Sequence, residues 1–421
     1  MNTQHLKNRW LIAASAVGIQ VSIGSVYAYS VMTNPVKDIF EVEGSAIKWA
    51  FKLAILMLGF SAAFLGKWVE KVGPQRSGTT AGILYGIGIV TTGIAIHIGS
   101  LPLFYIGYGV IGGIGLGLGY ISPISTLVKW FPDKKGLATG MAIMGFGFSA
   151  LIFGPFMQYL FNTVGVANAF YVLGSIFMVL IVGSARYMQQ PPKEYIPEGY
   201  HPENNTLKQQ DLENISAKEA IKKPRFYYLW LMMFINIACG IALISSASPI
   251  LQEKLNYSPM EAAAMVGFIG IFNGLGRLFW SSLSDYLGRI TIYILFFAFQ
   301  IVAFYLLPAL AYELLFLGTL FTIISMYGGG FAMLPAFISD LFGTKELGAI
   351  QGLILTAWGL AGVVGPTIYD VVKEKTGSLD ATLYVFASLF IVALIVAIVM
   401  KFSITKAHKN KTNSLKLATA S

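Results

Sequence analysis

The sequence has little charge and almost no cysteine. Only 12% of its 421 residues are charged and 56% are hydrophobic, whereas a soluble domain usually carries about 25% charged residues. The single cysteine, Cys239, lies in an apolar run, which excludes a disulfide framework and a cysteine-based metal site. The sequence contains no Ser/His/Asp set, paired carboxylates or metal-spaced histidine cluster. We therefore expect a protein that is not an enzyme and that holds no metal and no cofactor.

Apolar runs of about 20 residues recur along the chain, each long enough to cross a hydrocarbon core of ~30 Å. Backbone polar groups in lipid must be satisfied within the segment, so these runs are expected to be helices. The first run starts at Trp10 and lacks a small-residue cleavage site, which favours a retained helix over a removed signal peptide. The pattern predicts an all-α membrane protein with twelve transmembrane helices. They are predicted at 10–33, 46–65, 77–98, 102–127, 136–161, 166–188, 226–250, 260–283, 288–309, 312–337, 345–370 and 380–402.

A polar, proline-rich and charged segment divides these helices into two groups of six. We predict an N-terminal six-helix bundle over 1–188, a linker over 189–225, a C-terminal six-helix bundle over 226–402 and a tail over 403–421. The linker is the longest soluble piece, which argues against a membrane sensor with a signalling domain.

The lysines and arginines lie mainly on one side of the predicted helices. If the N-terminus is cytoplasmic, 22 of the 29 fall in inner loops and tails and five in outer loops. This asymmetry is a strong positive-inside signal, and it predicts a multi-pass protein of the plasma (cell inner) membrane with both termini in the cytoplasm. Basic loops that face anionic lipids also explain the net charge of +9, so no nucleic-acid partner is expected.

Three short motifs recur in the two predicted halves at an offset of 211 or 215 residues. A near-constant offset is hard to obtain by chance, and it predicts two parallel repeats of six helices. In transporters built this way, the substrate site lies between the repeats near the membrane midplane. The matched segments are Gly66–Gly73 with Ser281–Arg289, Trp130–Ala138 with Leu341–Ala349, and Gly154-Pro155 with Gly365-Pro366.

The first matched pair carries an acidic residue in each half. Glu70 and Asp285 lie among basic residues, including Arg289, and they can form ion pairs across the cytoplasmic face. One interpretation is a solvated surface pair, and the other is a latch for one of two rocking states. Because the pattern occurs in both halves, we favour a conformational latch formed by Glu70, Asp285 and Arg289.

Glycines have two predicted roles. Gly66, Gly73 and Gly288 are expected in tight turns between helices. The glycines between Gly107 and Gly119 contain G-x-G patterns, but they follow no strand and open no helix, so they do not fit a dinucleotide fingerprint. Small residues let membrane helices approach closely, and we assign them that role.

Arg277 is the most informative side chain. It lies inside the eighth predicted helix, eight residues before Asp285, which places it ~12 Å from the cytoplasmic turn. A charge at that depth costs at least ~2.5–3.5 kcal/mol on insertion scales. The acidic residues closest to mid-membrane, Glu261 and Asp370, lie near helix ends. Snorkelling or a bond to a backbone carbonyl is the alternative, but we favour an anionic substrate, since the guanidinium fork suits a carboxylate.

Other polar residues in the predicted helices are weaker candidates. Asn273 is one turn before Arg277 on the same face, and it either orients the arginine, donates to the substrate or bonds a neighbouring helix. Lys52 is a candidate second cation, although snorkelling outward is the favoured interpretation. Buried phenols need hydrogen-bond partners, but packing is the simpler interpretation for any one tyrosine. The tyrosines within predicted helices are Tyr27, Tyr29, Tyr120 and Tyr327.

Four segments resemble the oxalate/formate antiporter family of the major facilitator superfamily. They are Asn34–Asp38, Trp130–Ala138, Phe272–Arg277 and Ser339–Thr344, and the resemblance extends over nearly the whole chain. It implies the major facilitator fold, with twelve transmembrane helices as two six-helix bundles, and transport of small carboxylates by alternating access. The family's arginine of helix 8 corresponds to Arg277.

The resemblance also implies an aromatic cage for the substrate. A family tyrosine of helix 4 corresponds to Tyr120. Aromatic positions of helix 1 correspond to Tyr27 and Tyr29, and those of helix 10 correspond to Tyr327 and Phe331.

One departure from the family bears on the substrate. The oxalate transporter of this family has a lysine in helix 11, where this sequence has Trp358. An oxalate dianion would want two cations, so we predict a monocarboxylate such as lactate, pyruvate or formate, with proton coupling favoured over anion exchange. An oxalate:formate-type dicarboxylate exchanger is the alternative, since Lys52 would supply a second charge. A major facilitator exporter of another small molecule is the second alternative, although it would need no buried arginine. The expected partners of this monomer are a small carboxylate anion, protons and the lipid bilayer.

Overall fold

The computed structural model describes residues 7–42, 44–192, 195–197, 212–257 and 259–420, and this part of the chain is helical without strands. The helices are α1 (Arg9–Ile23), α2 (Tyr29–Phe40), α3 (Gly44–His97), α4 (Leu101–Phe104), α5 (Gly113–Trp130), α6 (Lys135–Val164), α7 (Val166–Tyr187), α8 (Ala217–Ala220), α9 (Pro224–Leu255), α10 (Pro259–Leu287), α11 (Arg289–Leu306), α12 (Glu313–Phe342), α13 (Leu347–Thr376) and α14 (Leu379–Ala420).

These helices form twelve crossings. The first consists of α1, a 3₁₀ segment at Gly24–Ala28 and α2, and the fourth consists of α4, a π-helical segment at Tyr105–Gly112 and α5. The long helix α3 bends at Gly73 into the second and third crossings. Within the described residues, ten stretches are long and apolar enough to span a membrane, and Trp49–His97 counts as one of them. Its bend makes two crossings, and α10, with 29 residues, supplies the twelfth.

Two of the turns depend on glycines with a positive φ. Gly73 (φ 80°) bends α3, and Gly288 (φ 84°) separates α10 from α11, as predicted for both. Gly66 differs from its prediction because it lies inside α3. A Cβ at Gly66 would lie 2.6 Å from the Cα of Ala349, so this glycine permits close helix approach rather than a turn.

Most helices extend beyond their predicted ends. α12 ends at Phe342 rather than 337, and α9 ends at Leu255 rather than 250. Hydropathy marks only the part of a helix that lies in hydrocarbon. The backbone hydrogen bonds continue until a cap or a turn residue stops them.

The crossings form two six-helix bundles. In the first, α3 packs along α5 and α7, and α1 packs along α6. In the second, α10 packs along α12, α9 along α13, and α11 along α14. Two seams join the bundles, one between α3 and α13 and the other between α6 and α10.

Glycines line both seams at equivalent positions of the repeat. A Cβ at Gly140 would lie 2.2 Å from the Ser281 hydroxyl oxygen, and a Cβ at Gly352 would lie 1.9 Å from the Ala62 carbonyl oxygen. These glycines therefore allow the backbones of the two bundles to meet. The seam glycines of α6 and their counterparts 212 residues later in α13 are Gly136, Gly140 and Gly147 with Gly348, Gly352 and Gly359.

The turns at Gly73, Phe131–Lys134, Gly288 and Gly343 lie at one end of the molecule, called here the basic end. The described parts of the segment between the bundles contact this end. The Trp130 indole N–H donates to the Gln189 carbonyl at 2.6 Å.

A capping box starts the short helix α8 in this segment. The Ser216 backbone N–H donates to the Glu219 carboxylate at 2.8 Å. This bond, together with one from the Ser216 hydroxyl, lowers the pKa of Glu219 below its ordinary value.

Candidate functional site

Arg277 lies in the interior of α10, and its side chain is fully buried. Its Nε donates to the Asn273 side-chain oxygen at 3.0 Å, and its Nη1 donates to the Ile143 carbonyl of α6 at 3.2 Å. Among the described residues, Nη2 has no hydrogen-bond partner. The predicted fork therefore differs from the observed arrangement, since two of the three guanidinium nitrogens already bond protein oxygens and Nη2 faces a ligand alone.

Two phenyl rings flank the guanidinium. Its central carbon lies 5.6 Å from the ring centroid of Phe146 in α6 and 5.6 Å from that of Phe331 in α12. Both distances fall within the range of cation–π attraction, which is strongest when the groups are desolvated. Each bundle thus contributes one ring to the surroundings of Arg277.

Further aromatic side chains extend this environment. The Trp358 ring lies 4.6 Å from Phe331, 5.3 Å from Tyr120 and 5.8 Å from Phe146. These rings come from α13, α12, α5 and α6, so both bundles contribute to one apolar compartment. We call it the aromatic cage, and its members are Tyr27, Tyr120, Phe146, Tyr327, Phe331 and Trp358.

The remaining two members attach to the phenyl pair. Tyr27 packs edge-on against Phe146 at 4.8 Å, and Tyr327 packs edge-on against Phe331 at 5.3 Å. Both contacts have the T-shaped geometry that aromatic pairs prefer. The cage therefore surrounds Arg277 with rings from both bundles.

Local sequence brings these rings together. Tyr27 lies in the 3₁₀ segment of the first crossing, and a Cβ at Gly24 would lie 2.5 Å from the Phe146 carbonyl oxygen. Only glycine permits this approach of the first crossing to α6. Mid-helix 3₁₀ segments often mark functional positions, because they rotate the following side chains away from α-helical phase.

Three consecutive glycines separate Tyr327 from Phe331 in α12. A Cβ at Gly328 would lie 2.3 Å from the Asn273 carbonyl oxygen, and a Cβ at Gly329 would lie 2.6 Å from a Trp280 side-chain carbon. The glycines therefore let α10, with Arg277, pack directly against the backbone that carries the two cage aromatics.

The cage has an excess of hydrogen-bond donors. Within the described part of the chain, five buried polar atoms of the cage and Arg277 have no partner. An unsatisfied buried polar group costs about 1–3 kcal/mol, so their grouping around one cation indicates a binding site. The five atoms are the hydroxyls of Tyr27, Tyr120 and Tyr327, the Trp358 Nε1 and the Arg277 Nη2.

Two predicted site residues lie elsewhere. Tyr29 donates to the Ile47 carbonyl and packs 5.0 Å from Tyr108, inside the first bundle. The Lys52 ammonium lies 4.9 Å from the ring of Trp49, which is half exposed. In the described contacts neither residue touches the cage, so we leave both out of the candidate site.

Phe146 is a site residue that the sequence analysis missed, although a signal for it existed. It precedes Trp358 by 212 residues, which is the same offset that relates Gly140 to Gly352 and Gly147 to Gly359. The two large aromatics are therefore counterparts in the repeat.

Gln351 was also missed. It lies two turns before Trp358 in α13 and is fully buried. Both of its polar side-chain atoms lack partners among the described residues.

At the basic end, Asp285 of the second bundle bonds the start of α6 in the first. Its carboxylate accepts from the backbone N–H groups of Gly136 at 3.0 Å and Leu137 at 3.1 Å. Arg289 pairs with the same carboxylate and, at 3.2 Å, with Asp340. An anion at a helix N-terminus satisfies unpaired N–H groups and is favoured by the helix dipole.

Glu70 of the first bundle makes the equivalent contact. Its carboxylate accepts from the backbone N–H of Gly348 at 2.7 Å, in the first turn of α13, and from Lys129 at 2.7 Å. Lys135 adds a further cross-bundle pair with Asp340 at 3.3 Å. These contacts hold the two bundles together at the basic end.

Comparisons with known proteins agree with this architecture. The chain matches the model of the Major Facilitator Superfamily over residues 12–366. It is 28% identical over 365 residues to the uncharacterized MFS-type transporter YhjX of Escherichia coli, covering 86% of this chain and 87% of that protein. It is 28% identical over 379 residues to the oxalate:formate antiporter of Oxalobacter formigenes, covering 89% and 88%.

A third relative and a solved structure extend the comparison. The chain is 25% identical over 393 residues to apicoplast pyruvate carrier 1 of Toxoplasma gondii, covering 78% of this chain and 69% of that protein. The crystal structure of the major facilitator transporter FucP in its outward conformation superposes with a TM-score of 0.69 at 14% identity, covering 92% of this chain and 98% of that one.

Proposed function

This chain belongs to the major facilitator superfamily, and we propose that it moves small monocarboxylates across a membrane by alternating access. Membership makes it a multi-pass membrane transporter and confirms the predicted fold of twelve helices in two six-helix bundles. The relatives include an oxalate:formate antiporter and a pyruvate carrier, and their names support a carboxylate as the substrate.

The observation that carries the proposal is the set of unpartnered donors around Arg277. The guanidinium Nη2 and the Trp358 N–H only donate, and three phenols lie beside them. A carboxylate has two oxygens, accepts up to four hydrogen bonds and supplies the missing negative charge. Charge-assisted hydrogen bonds to it are about twice as strong as neutral ones.

The charge of the cage favours a monoanion over a dianion. Arg277 is the one cation that the described structure places in contact with the cage, and Trp358 adds a neutral donor. A dianion would leave one negative charge uncompensated in a buried compartment, which costs several kcal/mol even after relaxation. Similarity to the oxalate:formate antiporter keeps dicarboxylate exchange as the alternative.

We further propose that the basic end faces the cytoplasm and that its contacts form the inner gate. The positive-inside rule supports the orientation. Glu70 and Asp285 support the gate, since each caps a helix of the opposite bundle. Release of both caps would let the bundles separate at this end and open the cage to the cytoplasm.

Reconstituted transport tests the proposal. Purified protein in proteoliposomes is assayed for uptake of labelled lactate, pyruvate, formate and oxalate. We expect saturable uptake of monocarboxylates, and we expect Arg277→Gln to abolish it. Arg186→Gln, at an exposed arginine of α7, is the matched control and should transport normally. Oxalate exchange without monocarboxylate uptake would favour the alternative, and uptake by Arg277→Gln at the wild-type rate would refute the site.

Coupling needs a separate measurement. The members of the cage include no carboxylate, so we propose that a proton moves with the substrate or through acids near the helix ends. An imposed pH gradient, acidic outside, should then drive accumulation into empty vesicles. Accumulation that requires a carboxylate on the opposite side, and ignores the pH gradient, would instead establish exchange.

A further inference from the structure

The indole N–H of Trp358 differs from those of the other buried tryptophans. The N–H of Trp130 donates to the Gln189 carbonyl at 2.6 Å, that of Trp230 to the Thr356 hydroxyl at 2.9 Å and that of Trp280 to the Ser325 hydroxyl at 3.0 Å. Trp358 is fully exposed to none of the solvent, and in the described structure its Nε1 has no acceptor. The fold therefore satisfies its buried indoles elsewhere but leaves this one free inside the cage.

The neighbours of Trp358 cannot supply an acceptor from their rings. Phe331 lies 4.6 Å away and Phe146 lies 5.8 Å away, both in T-shaped contact. Tyr120, at 5.3 Å, carries a hydroxyl that is itself without a partner. An acceptor for the indole must therefore come from the ligand.

A simple carboxylate does not have enough oxygen for all the donors. The unpartnered set offers six hydrogens: two on the Arg277 Nη2, one on each of three phenols and one on the indole. Two carboxylate oxygens accept about four hydrogen bonds through their lone pairs. Phenols can also accept from one another, but an indole N–H and a guanidinium cannot. The indole therefore requires a further oxygen.

The position of that oxygen follows from Phe331. Its ring lies 4.6 Å from the Trp358 ring and 5.6 Å from the Arg277 guanidinium carbon. One phenyl thus contacts both groups, so only a short ligand fits between them. An oxygen on C2, next to the carboxylate, lies closest to the charged group.

We propose that Trp358 is a specificity-determining residue that donates to an oxygen on C2 of the substrate. The transporter then selects 2-oxo and 2-hydroxy monocarboxylates over unsubstituted acids such as formate, acetate and propionate. This inference rests on the proposed carboxylate transport and names the substrate class. A site built around a substrate hydrogen bond discriminates strongly against analogues that lack the group, because its own donor is then left buried and unpaired.

The test compares acids of equal length and charge. Uptake of pyruvate, lactate, 3-hydroxypropionate and propionate is measured in proteoliposomes as kcat/KM. One unpaired neutral donor corresponds to about 10- to 100-fold, so wild type should prefer pyruvate and lactate over propionate by at least that factor. 3-Hydroxypropionate should behave like propionate, since its extra oxygen is on C3.

Two variants isolate the indole N–H. Trp358→Phe keeps an aromatic ring and removes the donor, and it should lower the pyruvate-to-propionate ratio about 10-fold or more while propionate uptake persists. Trp230→Phe removes an indole that already bonds Thr356, and it should leave the ratio unchanged. If Trp358→Phe does not fold, the wild-type ratios decide alone.

The outcomes separate this inference from the proposed function. Equal wild-type uptake of pyruvate and propionate, still abolished by Arg277→Gln, would overturn the role of Trp358 and leave carboxylate transport standing. An unchanged ratio in Trp358→Phe would also overturn it. Uptake of none of these acids would instead overturn the proposed function.

Discussion

Neutralising Asp285 should open the basic end. Asp285→Asn removes the charge that accepts two backbone N–H groups of α6, from Gly136 at 3.0 Å and Leu137 at 3.1 Å. Hydrogen bonds to charged groups contribute about 1.5–3 kcal/mol each. Asparagine retains one oxygen acceptor but turns an NH₂ group toward the second N–H, and Arg289 loses its partner. We expect a loss of about 2–4 kcal/mol from the closed gate, or roughly 30- to 1,000-fold in the gate equilibrium.

Electron paramagnetic resonance can follow this equilibrium, because the chain has only one cysteine to remove. In a Cys239→Ser background, nitroxides are attached at Arg76 in the first bundle and Tyr286 in the second, both exposed at the basic end. The parent protein should show mainly the short distance. Asp285→Asn should transfer most of the population to a longer distance.

A matched control tests whether cross-bundle contact is the cause. Asp133→Asn breaks an ion pair of 2.9 Å with Arg9, which lies within the first bundle, so the spin–spin distances should not change. Glu70→Gln should have a smaller effect than Asp285→Asn, because Glu70 accepts only one backbone N–H in the described structure, from Gly348. If Asp285→Asn leaves the distance distribution of the parent protein intact, the reasoning about helix caps at the gate is refuted.

Three further predictions concern packing and charge. Gly352→Ala places a methyl 1.9 Å from the Ala62 carbonyl oxygen and should lower the thermal stability and the closed-gate population, at a cost of about 1–3 kcal/mol. Gly318→Ala, with nothing within 4 Å, is the control and should change neither. Phe146→Leu removes one of two rings that flank Arg277 and should weaken carboxylate binding, measured by calorimetry, about 5- to 30-fold; unaltered affinity would exclude a cation–π role. Lys52→Gln should leave carboxylate uptake within about twofold, as expected for an exposed position, and a tenfold loss would establish a second substrate cation.

The periodicity and repeats of the sequence were sufficient for the fold. Apolar runs located the crossings, because lipid demands continuous helices. The recurrence of Gly66–Gly73 at Ser281–Arg289 placed equivalent acids in both halves. The sequence could not show that Glu70 and Asp285 bond backbone N–H groups of the opposite bundle, since that depends on how closely the seam glycines let the bundles approach.

The cage was only partly predictable. A lone arginine in an apolar helix stands out, so Arg277 could be found from energetic cost alone. Phe146 is one of 30 phenylalanines, and only its repeat relation to Trp358 distinguishes it. Tyr27 and Tyr29 look equivalent in the sequence, but the 3₁₀ segment ending at Ala28 rotates Tyr29 into the first bundle.

Equilibrium binding of a labelled monocarboxylate to purified protein is the most direct test of the central claim that Arg277 holds the substrate's negative charge. Isothermal calorimetry or a scintillation proximity assay would compare wild type, Arg277→Gln and Arg186→Gln with pyruvate and lactate. We predict that Arg277→Gln loses at least 100-fold in affinity, corresponding to about 3 kcal/mol for a buried charge-assisted contact, while Arg186→Gln binds like wild type. Wild-type affinity in Arg277→Gln would contradict the claim.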